Sequence, residues 1–426
     1  MAMAPTAPTF VDVLGGRAGR SAGLAVEVVD PDGAVRAAIG YPELDERARA
    51  IGAGLARRGL TGRRVLVALP VGVEYVAALL GCLYAGAVAI PVPPGPFARR
   101  AEVLDDAEPS AAIVSPGTDI TRLAEDGVDV LSTMDLIGRE PWRRPEIGPD
   151  TLALLQYAPG GAARGVMVSH ANLVAGATQV AGHVGMREDT GVVSFLPPYH
   201  DLGLVGGLLA PILAGARTTL LPPDASPEVW LRTVSSRRAR ISFAPELAYA
   251  WQADREYGTL ELSTWDVAVT SAASATLSRF AERLAPHGFR REALFPGYWS
   301  SEATALVAGR RGAAVTGFDA DSLEPGRLTK PGGTPLIDRG LAVADLDIAI
   351  VDPLTATRCA DGTAGEVWVS GPNVAVGYLG RPDESERTFC ARLRGSTENY
   401  LRTGELGFVH NGGLHLAERQ DVLLAF

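Results

Sequence analysis

Uninterrupted apolar runs of strand length alternate with segments of helical period in the first third of the chain, and this alternation limits the fold more than any other feature. Leu44, Ala48, Ile51 and Leu55 recur at helical spacing, and Gly59 closes that helix. Val65-Leu66-Val67-Ala68-Leu69 follows as a strand with no polar face. Residues 74–84 form a second apolar helix, residues 87–92 a second strand and residues 111–115 a third. A strand apolar on both faces must be covered on both, which is the condition of a parallel sheet flanked by helices. A proline-rich, mostly polar stretch at residues 141–149 marks a boundary. Beyond it, residues 192–196, 218–221, 239–243 and 267–270 read as further strands of the same type. After about residue 310 the pattern changes to short strands (346–351, 365–370, 407–416) with turns such as His410-Asn411-Gly412-Gly413, the signature of antiparallel pairing. The predicted fold is α/β: a βαβ-type subdomain over 1–150, a second over 151–315, and an insertion with a small antiparallel β-subdomain over 316–416.

Composition excludes several function classes. A formal net charge of −10 argues against nucleic acid or an anionic membrane as partner. Cys82, Cys359 and Cys390 have no metal-like spacing, so no zinc site or disulfide scaffold is expected, and a reducing, cytoplasmic setting fits. The opening residues lack a charged segment followed by an apolar one, so no signal peptide is expected. The longest apolar run, residues 76–90, is shorter than the ~18–20 residues a span requires and holds Gly81 and Gly86, so it reads as a buried helix entering a buried strand rather than a membrane span.

Residues 155–173 carry the densest chemical signal. Gln156-Tyr157 leads into Ala158-Pro159-Gly160-Gly161-Ala162-Ala163, then Arg164 and Gly165-Val166-Met167-Val168-Ser169-His170. A loop that holds nucleotide phosphates needs convergent backbone N–H groups, hydroxyls and a cation. Gly160 and Gly161 permit the first and Arg164 supplies the last, but no hydroxyl is present. Arginine is also a planar fork, not the point charge of a lysine. Taken alone, Gly160-Gly161 reads as a turn after a strand at 152–157.

With its flanks, this segment resembles the phosphate loop of the adenylate-forming enzymes, and the whole chain is similar to their fatty acyl-AMP ligase branch. The resemblance also rests on Ser194-Phe195-Leu196-Pro197-Pro198-Tyr199-His200-Asp201-Leu202-Gly203-Leu204-Val205-Gly206-Gly207, on Phe243-Ala244-Pro245-Glu246-Leu247-Ala248-Tyr249, on residues 280–292, and on residues 317–327 as the start of an insertion typical of that branch. It implies the large N-terminal domain of the adenylate-forming fold. It also implies roles: Tyr298 stacking on a purine, Glu302 holding Mg²⁺ near phosphates, Arg419 contacting the ribose and Asp421 at the hinge. The departures fall at the chemistry. Arg164 stands where the family has lysine, Trp299 where it has a pocket-wall glycine, Glu405 where it has a ribose-binding aspartate, and Ser271-Ala272-Ala273-Ser274 where its adenine-binding segment lies. Lys330, in a loop, is the only lysine. Residues 417–426 read as a remnant of the hinge, with the family's C-terminal domain and its catalytic lysine expected to be absent.

His200 and Asp201 form the best remaining polar pair. Two readings stay open: His200 as general base or hydrogen-bond donor to an acyl carbonyl, or a cap of the following glycine-rich helix with Asp201 in its first turn. Glu302 likewise reads as a ligand or as a buried, hydrogen-bonded carboxylate. Ser169 reads as an N-cap with His170 structural, His287 as solvated in a turn, and Cys82 as core. The absence of a Gly-x-Ser-x-Gly elbow excludes a conventional serine hydrolase. The expected function is a fatty acyl-AMP ligase-like protein of a polyketide or lipopeptide type of pathway. It binds or processes an acyl or polyketide chain, free or on an acyl carrier protein, without ATP and without a metal. The alternatives are an adenylating enzyme completed by a separate C-terminal domain, for which ATP and Mg²⁺ would be cofactors, and a non-catalytic scaffold.

Overall fold

The computed structural model describes residues 8–138, 140–157, 163–252, 258–271, 274–312 and 314–417. Its strands run, in chain order, β1 (Leu24–Val29), β2 (Val35–Gly40), β3 (Arg64–Ala68), β4 (Val88–Pro91), β5 (Ala111–Val114), β6 (Asp129–Leu131) and β7 (Leu152–Gln156). There follow β8 (Val166–Ser169), β9 (Gly191–Ser194), β10 (Arg217–Leu220), β11 (Ile241–Phe243), β12 (Val267–Thr270), β13 (Leu294–Trp299) and β14 (Leu306–Gly309). The helices used below are α1 (Phe10–Ala18), α2 (Tyr41–Arg57), α3 (Val73–Ala85), α4 (Ala101–Ala107), α5 (His170–His183) and α6 (Pro382–Phe389).

Two large sheets organise the molecule. One has the order β8-β7-β4-β3-β5-β6, with Gly377–Tyr378 added beside β8. The other has the order β14-β13-β12-β11-β9-β10-β1-β2, with Leu341–Ala342 added beside β14. Both are mainly parallel, as their continuous apolar strands require. Both draw strands from either side of residue 150. The antiparallel pair β1–β2 joins the sheet of β9–β14, while β7 and β8 join that of β3–β6. A five-stranded antiparallel sheet (Thr357–Arg358, Asp347–Asp352, Gly365–Ser370, Leu401–His410, Gly413–Leu416) completes the fold. Its last two strands form a hairpin about Asn411-Gly412, both at positive φ, so the region expected as a strand at 407–416 is two.

The apolar run at 76–90 is indeed α3 entering β4, buried almost throughout. α3 lies against α2 through glycines. A Cβ on Gly81 would come within 2.4 Å of Ile51, and one on Gly52 within 2.8 Å of Tyr84. Cys82, the next residue, is buried in the same core, and burial pushes its thiol up to about 12, so it is core as expected. Beneath β11–β13, Trp230, Tyr249, Trp265, Phe280 and Phe289 pack edge to face and offset, a cluster worth more than its area alone. No helix of the described residues is long and apolar enough to cross a membrane.

Candidate functional site

In an open parallel sheet, adjacent strands whose connections leave to opposite sides open a crevice at their carboxyl ends, and ligands bind there. In the larger sheet, β9 lies between β10 and β11. The chain leaves β9 toward β10 and leaves β11 toward β12, so the crevice is bounded by residues 195–201 and 244–246. His200 and Asp201 are on its rim.

The segment Leu202–Leu209 after them is a π-helix, not the regular helix expected. Its glycines permit the wide turn. Cβ atoms on Gly203, Gly206 and Gly207 would come within 2.2 Å of the Pro197 carbonyl, 2.6 Å of the Phe243 ring and 2.4 Å of Ser194 Oγ. π-Turns concentrate at functional sites. Asp201 caps this helix by accepting from the Leu202 N–H at 2.6 Å, and also accepts from Ser301 Oγ at 2.9 Å. Its Oδ1 lies 2.7 Å from His200 Nδ1, an electrostatic contact without the alignment of a hydrogen bond. Burial raises the Asp201 pKa, but His200, the Leu202 N–H and Ser301 together outweigh it and hold the carboxyl below its usual range. Burial alone pulls His200 down, and Asp201 reverses this, so the imidazole titrates above its ordinary value. The capping and chemical readings of the pair are compatible: Asp201 caps, and the His200 side chain stays 28% exposed.

At the end of β13, Tyr298 is buried and its phenol is raised mainly by burial, with Thr403 as hydrogen-bond partner and Glu405 within electrostatic reach. Trp299 folds back along its strand. Its Nε1 would be 2.6 Å from a Cβ on Gly297, and its ring meets Phe243 edge on, centroids 6.4 Å apart. The indole N–H is buried without a partner among the described residues. Glu302 sits in the turn after β13. Its Oε2 accepts from Ser300 Oγ at 2.9 Å and its Oε1 from the Tyr378 hydroxyl at 3.0 Å. That turn closes on Thr304 at φ +61°, a conformation costing a β-branched residue about 1–3 kcal/mol. Asn373 holds it: Thr304 Oγ1 donates to the Asn373 carbonyl at 2.7 Å, and Asn373 Nδ2 donates to the Ala303 carbonyl at 2.8 Å.

Gly160 and Gly161 lie outside the described residues, as do Arg419, Asp421, Ala272 and Ala273. The flanks of the loop are held firmly. Asp106, at the end of α4, accepts from the Tyr157 hydroxyl at 2.8 Å, from Gly165 N–H at 3.0 Å and from Arg381 Nη2 at 2.7 Å. Arg381 also donates to the Ala163 carbonyl at 2.8 Å. Arg164 does not reach freely into the crevice. It pairs with Glu384 of α6 at 2.8 Å and lies over the Tyr378 ring, 5.2 Å from its centroid.

The structure thus brings His200, Asp201, Tyr298, Trp299, Glu302, Arg164 and Glu405 to one region, linked through Ser301 and Tyr378. Asp106, Tyr378, Arg381 and Glu384 are participants that sequence reading missed. Their only local signal is the strand-to-helix punctuation Gly377-Tyr378 followed by Pro382. Ser169 caps α5 with a reciprocal Asn172 contact, and His170 is fully buried, both as expected. His287, expected to be solvated, is half-buried at the end of a short 3₁₀ turn. Among the described residues no group of three or more His, Cys, Asp or Glu is placed to hold a metal ion.

Comparison with known proteins agrees with this fold. The AMP-binding enzyme family matches residues 19–379. The medium-chain-fatty-acid–[acyl-carrier-protein] ligase JamA of Moorena producens is 34% identical over 428 residues, 91% of this chain and 72% of that protein. A 4-hydroxyphenylalkanoate adenylyltransferase of Mycobacterium marinum is 34% identical over 93% of this chain and 70% of its own length. Among solved structures, a fatty acid AMP ligase from Legionella pneumophila superposes with a TM-score of 0.88 at 28% identity, covering 96% of this chain and 76% of that one. A fatty acyl-adenylate ligase from the same organism, in complex with acyl adenylate and pyrophosphate, gives 0.87 at 28% identity over 96% and 77% of the two chains. On these matches, the chain belongs to the AMP-binding enzyme family as a fatty acyl-AMP ligase-like protein.

Proposed function

We propose that the protein binds an acyl chain, free or carried on an acyl carrier protein, and that ATP-dependent adenylation by this chain is lost or severely weakened. The observation that carries this reading is Trp299. Its indole lies on Gly297 and against Phe243, the last residue of β11 beside the crevice, in volume that a glycine at the same position would leave open.

As they stand, the side chains do not fit a nucleotide's phosphates. The Arg164 charge is met by Glu384 at 2.8 Å, and both oxygens of Glu302 are already engaged by Ser300 and Tyr378. No step through ATP or Mg²⁺ is therefore assigned to this chain. The groups that remain suit a carboxylate or thioester carbonyl. His200, raised by Asp201, carries its proton to a higher pH than a free imidazole and donates to an acyl oxygen at the mouth of the crevice. The apolar walls, Phe243, Leu196 and the glycine-rich π-helix, suit the chain behind it. The names of the relatives, a medium-chain fatty-acid ligase and an adenylyltransferase, support a carboxylic substrate of that class.

A second reading, an adenylating enzyme completed by a separate C-terminal domain, is favoured by the retention of Glu302 and by Glu405 beside Tyr298. Pyrophosphate release from Mg-ATP with a medium- or long-chain fatty acid separates the two. The expected result is no release above the protein-free rate, together with acyl-chain binding that weakens in His200→Ala. Fatty-acid-dependent release by the chain alone would overturn the proposal, and release only on adding a C-terminal domain in trans would establish the second reading.

A further inference from the structure

The smaller sheet has a crevice of the same kind, and none of the candidate site residues described above lies in it. Its order β4-β3-β5-β6 places β3 between β4 and β5. The chain leaves β3 toward β4 through α3, and leaves β5 toward β6 on the other side. The carboxyl ends of β3 and β5 therefore bound the position where open α/β sheets hold ligands. A cavity of about 390 Å³ lies there. It is formed by residues 69–74 after β3, residues 114–116 at the end of β5 and residues 132–134 after β6, and is roofed by Arg36 and Ala38 of β2. At about 30 Å³ per water it holds roughly a dozen, within the range of small-molecule sites.

Its chemistry is specific. Val28, Leu69, Val71 and Val114 make apolar walls, and Met134, 75% exposed, stands at the mouth as an adaptable apolar contact. Three lining side chains are charged. Arg47 is bound to Glu74 at 3.1 Å, so these two cancel. Arg36 makes no ion pair or hydrogen bond among the described residues, which leaves the cavity with one net positive charge in a chain of net charge −10. Ser115 and Thr133 add hydroxyls to the cavity lining. We infer that this crevice is a second ligand site, for a small amphipathic monoanion such as a short-chain carboxylate, with the anion on Arg36 and the chain against the valines. The inference is independent of the acyl-chain reading of the first crevice, because it rests on other residues of the other sheet.

Octanoate is the probe, with octylammonium as the charge-reversed control, titrated into the full chain carrying ¹³C-methyl methionine. Met134 reports this cavity, and buried Met186 reports the fold. The expected result is a saturable Met134 shift with octanoate and none with octylammonium. In Arg36→Glu the midpoint rises at least about tenfold, the scale of one charge-assisted hydrogen bond, with Met186 unmoved. Ala38→Trp, an exposed position on the same strand, should abolish the Met134 shift by filling the cavity. A Met134 resonance that stays fixed, that moves equally with octylammonium, or that moves equally in Arg36→Glu and Ala38→Trp overturns the inference.

Discussion

Replacing Asp201 tests whether the rim of the crevice is built as a unit. The carboxylate is 15% exposed, accepts from Leu202 N–H at 2.6 Å and Ser301 Oγ at 2.9 Å, and lies 2.7 Å from His200. Losing the helix cap costs about 1 kcal/mol. Losing the Ser301 bond costs about 1 kcal/mol more. Breaking a buried charged contact while its partner stays buried brings the total for Asp201→Ala to about 3–5 kcal/mol. Asp201→Asn keeps the volume and one acceptor, so about 1–2 kcal/mol is expected. Urea unfolding at neutral pH reads these differences as midpoint shifts. The pH dependence has a defined sign. The His200 pKa is raised in the folded state, so its contribution is full below the ordinary value of 6.5 and fades as pH rises through the folded one. The Asp201 pKa is depressed, so its contribution is present above the ordinary 3.8 and is lost as pH falls through the folded value. In Asp201→Asn only burial acts on His200, and its imidazole NMR titration moves to lower pH. A loss below about 1 kcal/mol in Asp201→Ala, set against the 3–5 kcal/mol of a broken buried pair, would refute this reading of the rim. So would an unchanged His200 titration in Asp201→Asn.

Other outcomes follow from the same geometry. His170 is fully buried, and burial lowers its pKa from 6.5 to about 4, so the protein should lose stability as pH falls through that window. The loss is about 2 kcal/mol by pH 5, and His170→Asn, which cannot titrate, should lack it in urea unfolding at pH 7 and 5. Asp106→Ala leaves Tyr157, Gly165 and Arg381 without their shared acceptor and should cost about 3 kcal/mol in the same measurement. Glu384→Gln frees Arg164 from a half-exposed pair worth at most about 1 kcal/mol, so calorimetry should find inorganic pyrophosphate bound up to about fivefold tighter.

Most of the framework was legible because β3–β5 are continuous apolar runs, and β9 and β12 largely so, whose stable home is a covered parallel sheet. β1 was not, because Glu27 interrupts its apolar run. Its carboxylate is paired at 2.6 Å with Arg237, a partner that only the tertiary fold supplies. The π-helix was hidden for a related reason. The sequence displays three glycines, but the need for them comes from Pro197, Phe243 and Ser194 pressing on that segment. At the site, His200, Asp201, Tyr298 and Glu302 were legible because each lies in a contiguous motif beside a strand end. The clamp of Asp106 on Arg381 and the pair of Arg164 with Glu384 were not, because each joins segments more than 200 residues apart.

On the proposed function, Trp299 beside the crevice keeps a nucleotide out of it. Isothermal titration of the full chain with Mg-ATP, and with a non-hydrolysable acyl-adenylate analogue, tests this most directly when run beside Trp299→Gly. The expected result is affinity weaker than about 1 mM for both ligands in the natural chain and measurable analogue binding once the indole is removed. Binding of either ligand to the natural chain at about 10 μM or tighter, unchanged in Trp299→Gly, would contradict it.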